Sequence, residues 1–183
     1  MAKNVDYSRI PSEKLTLWRL ISDCVEGETA IKAGGKSYLP DPSESNRDIN
    51  DFYPDYLLRA SFYNATGRTK EGLIGTAFAK EAEKDIGSLD YLKTNADGLG
   101  LGIDQLAQKA LGYNLTFARG GFLTDYPQLE NPASKADNIT AMIKLYSPQS
   151  IINWDTEMFD GKLRLSLVVL HERYQQRTDD GFS

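Results

Sequence analysis

The sequence has 183 residues, enough for one domain with a real core, and its 40% apolar and 26% charged residues are those of an ordinary globular protein. A formal charge of −5 builds in no general attraction to nucleic acid or to an anionic membrane, which leaves only a local basic patch as a route to either. Cys24 is the single cysteine, so neither a disulfide framework nor a thiolate metal cluster is expected, and a lone thiol in a helical pattern reads as a small core residue in a reducing compartment.

The first residues, Met1–Arg9, lack the apolar run of a signal peptide, and no window approaches the roughly 18 apolar residues of a membrane span. Residues 1–11 read as a flexible arm. Ser12 then caps a helix over Glu13–Val25, in which Leu15, Trp18, Leu20 or Ile21, and Val25 keep helical spacing, and Gly27 ends it. A short stretch, Glu28–Lys32, leads into a turn at Gly34-Gly35. Residues 40–50, rich in Pro, Asp, Ser and Asn, form a polar loop inside one domain.

Tyr53–Lys80 reads as two helices joined at Asn64–Gly67, and the rest of the chain is arranged around this pair. Asp51 is placed to cap the first, with Pro54 in its first turn, where the missing N–H costs nothing. Its apolar stripe is Tyr53, Tyr56, Leu57, Ala60 and Tyr63. The second helix starts at Thr66 and carries Leu73, Ile74, Ala77 and Phe78 on its inner side. The pair can bury both stripes against a sheet, which leaves Arg59, Arg68 and Lys70 around the joint.

Glu81–Ser88 is polar and turn-like. Three alternating glycines follow in Asn95–Gly102, but no strand precedes them and no Lys-Ser/Thr follows, so a loop into a helix is expected and not a phosphate cradle. Ile103–Leu115 is an amphipathic helix. Gly120-Gly121 breaks the chain, and Phe122–Thr124 reads as a short buried strand. Residues 128–137 form a loop, and Ile139–Tyr146 is compatible with either strand or helix. Ser150–Trp154 is a strand, Asp160-Gly161 a hairpin turn, and Lys162–Tyr174 a long strand in which Leu163, Leu165, Leu167 and Val169 alternate with Lys162, Arg164 and Ser166. Both faces turn apolar at Val168–Leu170, as in a strand covered on each side. The predicted fold is α+β: a helical N-terminal half packed on a small mixed sheet from residues 120–126 and 150–174.

No catalytic constellation stands out. His171, the only histidine, shares a strand face with Val169 and reads as a core or edge residue, with Glu172 on the opposite face. One His, one Cys and scattered carboxylates supply no metal-ligand pattern, and no cofactor is expected. Pairs of carboxylates exist in any acidic chain, and none is singled out for hydrolysis. Arg59, Arg68, Lys70 and Arg119 are the candidate contacts for phosphate or for carboxylates of a neighbouring subunit. The plain alternative for each is an exposed ion pair worth about 0.5 kcal/mol. Tyr53, Tyr56 and Tyr63 read as core or interface, Trp154 as a buried anchor, and the sequons at Asn64, Asn114 and Asn138 as coincidence.

Several segments, in order, carry a family likeness. They are Tyr38-Leu39-Pro40, Leu58-Arg59-Ala60-x-Phe62-x-Asn64-Ala65-Thr66-x-Arg68-Thr69-x-x-Gly72-Leu73-x-Gly75, Asp97-Gly98-x-Gly100-Leu101, Arg119–Pro127, Ile151-Ile152-Asn153-Trp154, and Val168-Val169-Leu170-x-Glu172. Together they resemble the N-terminal, wing-type region of a family of tailed-bacteriophage portal proteins, from about Trp18 to Asp180. The resemblance implies a structural virion protein, a homo-oligomeric ring at the capsid vertex, with capsid, terminase and head–tail adaptor proteins as partners and the host cytoplasm as the place of assembly. It implies no enzyme activity and no cofactor, and DNA passage is not attributable to this segment. Portal subunits are longer than this chain, so the resemblance also implies a fragment of a longer subunit or a degenerate prophage copy. A free-standing phage head accessory or adaptor module, and more distantly a small carboxylate-based hydrolase, are the alternatives.

Overall fold

A computed structural model describes residues 7–42, 52–126 and 140–172, together with the backbone of residues 177–178 and 181–182. The expected cap at Asp51, the loop over 128–137 and most of the loop over 40–50 lie outside the described residues. The fold is α+β. Five α-helices come first: α1 (Ser12–Glu26), α2 (Glu28–Ala33), α3 (Tyr53–Arg59), α4 (Ala65–Ala77) and α5 (Ile103–Phe117). The strands follow as β1 (Gly121–Asp125), β2 (Met142–Tyr146), β3 (Ile151–Phe159), β4 (Lys162–Leu170), β5 (Arg177–Thr178) and β6 (Gly181–Phe182).

The strands do not share one mixed sheet. Among the described residues each pairs only with its neighbour in sequence, giving β1–β2, β3–β4 and β5–β6 as separate antiparallel ribbons. The reason lies in the connections, since a parallel neighbour needs a long crossover and β3 turns straight into β4. β2 also resolves the ambiguity over Ile139–Tyr146, because the stretch is a strand paired with β1 from Gly121↔Tyr146 to Asp125↔Met142. β1 is less buried than expected: Phe122 and Leu123 are both exposed.

With no broad sheet to lie on, the helices pack on each other. α1, α4 and α5 contact one another pairwise, so the inner stripe of α4 meets helices and not strands. Trp18 of α1 is buried and meets Phe117 of α5 edge-on at 5.9 Å. A second cluster gathers Leu92, Ala96 and Leu106, with Ile86, Ile143 and Leu145 against it, and joins α5 to β2. α3 has no buried residue. Its Tyr53 hydroxyl donates to the Leu39 carbonyl, while Tyr63 beyond its end is largely exposed. Two boundaries differ from the spacing argument. Ser12 lies inside α1, whose preceding residue is Pro11, and α4 begins one residue early, at Ala65, because Asn64 caps it.

Asn64 joins the helices. Its Oδ1 accepts from the Gly67 N–H at 2.7 Å, satisfying one of the free amides at the start of α4, and its Nδ2 donates to the Val25 carbonyl of α1 at 2.9 Å. The fit is close on both sides. A Cβ on Gly67 would lie 2.6 Å from the Val25 carbonyl oxygen, and a Cβ on Gly27 would lie 2.6 Å from Asn64 Nδ2. Gly27 also has φ 93°, in the left-handed region that favours glycine. Arg9 and Ile10, expected in a flexible arm, are docked, since Ile10 is buried and the Arg9 N–H donates to the Ile152 carbonyl of β3 at 2.8 Å; residues 1–6 of that arm lie outside the described residues.

Denaturant unfolding checks this joint. Asn64→Ala should cost about 1–2 kcal/mol, from the lost cap and the stranded Val25 carbonyl. Gly67→Ala should cost about 1–3 kcal/mol through overpacking. At Gly72 and Gly75 of the same helix an added methyl group would meet nothing within 4 Å, so alanine at either should stabilise by up to about 1 kcal/mol. Equal effects at all three glycines would contradict the close fit.

Candidate functional site

The most distinctive surface is the β3–β4 hairpin. Asp160 and Gly161 turn it with φ of 48° and 72°, the positive pair that a two-residue hairpin of this twist requires. Its root is anchored: Ile151 and Asn153 are buried, and the ladder continues into the His171 N–H donating to the Ser150 carbonyl at 2.7 Å. Its outer half is bare. Met158 and Leu163 are 67% exposed, Leu165 64% and Phe159 59%. Met158 is paired opposite Leu163 and Thr156 opposite Leu165, and cross-strand partners share a face, so one face is an apolar strip. The other face carries Glu157 opposite Arg164, with the Arg164 guanidinium 5.2 Å from the Phe159 ring. The expectation that Val168–Leu170 is covered on both sides is corrected at Val168, which is 44% exposed, and among the described residues no sheet lies over the hairpin.

The four predicted basic residues do not converge. Arg59 is exposed at the end of α3, beside a shallow groove lined by Pro42, Phe52 and Tyr56. Arg68, in the first turn of α4, lies over the Tyr63 ring at 5.2 Å. Lys70 lines a groove of about 330 Å³ between α1, α4 and α5, with Ile21, Val25, Leu73 and Leu115 as apolar walls. Arg119 is elsewhere, half-buried against β3, where it donates to the Ile151 carbonyl at 3.1 Å. Its guanidinium centre is 4.2 Å from the Trp154 ring centroid. Next to it, a Cβ on Gly121 would come within 2.8 Å of the Ile151 side-chain end, Cδ1. Trp154 is half-buried and not fully enclosed, and a second arginine, Arg9, lies 5.5 Å from the same ring and donates to the Trp154 carbonyl. Arg9 was not among the predicted contacts. It is 145 residues from Trp154 in sequence, and the apolar Ile10 just ahead of α1 is the only local sign that the arm docks.

His171 is exposed just past the end of β4, which removes the core alternative and leaves the edge one. Glu172 beside it accepts from the Tyr146 hydroxyl, and that hydrogen bond holds the phenol above its usual range. Cys24 is half-buried. Among the described residues no group of three or more His, Cys, Asp or Glu is placed to hold a metal, and no helix is long and apolar enough to cross a membrane.

The glycine loop is closed by its own side chains. Asp97 Oδ1 accepts from the Leu99 and Leu101 N–H groups at 2.8 and 3.0 Å, and Asn95 Oδ1 accepts from the Gly100 N–H at 2.8 Å. These loop amides, which could otherwise face a phosphate, are thus taken by the Asp97 carboxylate and the Asn95 side-chain amide. Desolvation pushes the Asp97 carboxyl up, but the Leu99 and Leu101 N–H groups outweigh it and hold it below the usual carboxylate range. A depressed carboxylate contributes stability above its unfolded pKa, and that contribution is lost as pH falls through the folded value. Asp97→Ala should therefore lower the thermal midpoint at neutral pH and flatten its fall on acidification. An acid limb parallel to the parent's would contradict this role. No protein-family model matches this chain, and no curated protein does.

Proposed function

We propose that this chain is the wing-type part of a tailed-phage portal subunit, working mechanically through contacts with copies of itself. The observation that carries the reading is the bare apolar strip of the β3–β4 hairpin. An exposed strip of Met158, Leu163 and Leu165 on a ribbon with open edges is unfavourable in water and is a usual mark of a protein–protein contact. The groove between α1, α4 and α5 is a second apolar surface, unlike the first. A contact between unlike surfaces of successive copies is heterologous, and it closes into a ring when the rotation allows. The ordered likeness to portal segments supplies the class of assembly. On this reading the partners are further copies, then capsid, terminase and adaptor proteins, and the place is the virion vertex. No catalytic step is assigned to any residue.

The test is sedimentation of the protein from its natural source, beside a Leu163→Glu, Leu165→Glu variant. Exposed positions tolerate such changes to within about 0.5 kcal/mol, so the fold should persist. A large closed oligomer that the double variant reduces to monomers is the expected outcome. A monomer in both, or an oligomer indifferent to the variant, would remove the portal reading in favour of a free-standing module.

A further inference from the structure

Arg9 and Arg119 form an arrangement that the assembly reading does not use. The two guanidiniums lie over one indole, at 5.5 and 4.2 Å from the Trp154 centroid, so their separation cannot exceed the sum of those distances. Neither forms an ion pair among the described residues. Burial lowers the Arg119 pKa, and burial is the only cause. A half-buried guanidinium without an ion-pair partner among the described residues is costly even on a chain whose net charge is −5.

The rest of the geometry is that of a prepared site. Each guanidinium spends one donor on a backbone carbonyl, Arg9 on that of Trp154 and Arg119 on that of Ile151. Each has five N–H donors in a rigid fork, so most remain for a ligand. Arg119 follows the break after α5, where Ala118 takes φ 54° to end the helix, and is held by its bond to the Ile151 carbonyl. Arg9 is held by the backbone hydrogen bond from its own N–H to Ile152. Stacking on Trp154 pre-pays part of the side-chain ordering.

We infer that Arg9, Arg119 and Trp154 form an oxyanion site that takes a phosphate group. Two guanidiniums match the charge of a phosphate dianion, and its tetrahedral oxygens can accept from both forks, whereas one fork already satisfies a carboxylate. The site rests on these three residues alone and stands whether or not the chain assembles.

Trp154 gives a built-in readout, because the other tryptophan, Trp18, is buried in the helical core. Inorganic phosphate is titrated into the full chain at constant ionic strength, with sodium chloride replaced in step, and indole emission is followed. A saturable change is expected, with its midpoint weakened about tenfold or more in Arg119→Gln and in Arg9→Gln. Arg68→Gln, whose guanidinium lies on Tyr63, should leave the midpoint unchanged. If Arg119→Gln proves unfolded by circular dichroism, Arg9→Gln decides, since Arg9 is exposed. The absence of a saturable response, an unaltered midpoint in folded arginine variants, or an equal response to acetate would each overturn the assignment.

Discussion

The helical half depends on one side-chain amide. Asn64 bonds to the start of its own helix through one atom and to the end of α1, 39 residues earlier, through the other. A capping residue normally settles only where its helix begins. Here the same amide also fixes where α4 stands against α1, and two glycines remove the methyl groups that would keep the chains apart. With α1 and α4 locked, α5 can lie against both and seat Phe117 on Trp18. α5 then delivers the Ala118–Gly121 break, and so Arg119, to the root of the hairpin.

Beyond that root the balance of forces changes. Buried apolar side chains are few among the described residues, while the outer hairpin exposes four large ones. A two-stranded ribbon is marginal in water unless a face is covered. Its sequence nevertheless commits to the ribbon through a left-handed turn pair, an Arg164–Glu157 cross-strand pair and alternating leucines. Strong local specification with missing tertiary cover is what a contact surface for another chain requires. The root differs again: there the hairpin is held by polar contacts, with Arg9 and Arg119 reaching backbone carbonyls of β3 and sharing its tryptophan.

Features set by neighbours in sequence were legible, and those set by distant partners were not. The Asp160-Gly161 turn, the helix expected over Ile103–Leu115, which runs on to Phe117, and the joint at Asn64–Gly67 follow from local backbone chemistry, and each is present. The loop character of Asn95–Gly102 was readable too, though not its closure by Asp97. What covers a strand was not readable, because alternating leucines look alike whether a sheet lies over them or solvent does. That is why Phe122–Thr124 was expected to be buried, Val168–Leu170 to be covered on both sides and the ribbons to merge into one sheet. Among the candidate site residues, Arg119 was singled out as a guanidinium able to meet phosphate or carboxylate with both arms. Its partner Arg9 was hidden in an arm with no periodicity, and Arg59, Arg68 and Lys70, close together in sequence, are spread over separate surfaces.

If the apolar hairpin meets another copy of the chain, its backbone should be shielded only in the assembly. Hydrogen exchange along β3 and β4, compared between the isolated chain and the native particle, tests this most directly. The outward-facing edge amides of Thr156–Leu165 should exchange fast in the isolated chain and slow by orders of magnitude in the particle. Equal, fast exchange in both would mean that the hairpin faces solvent throughout, and would contradict the account.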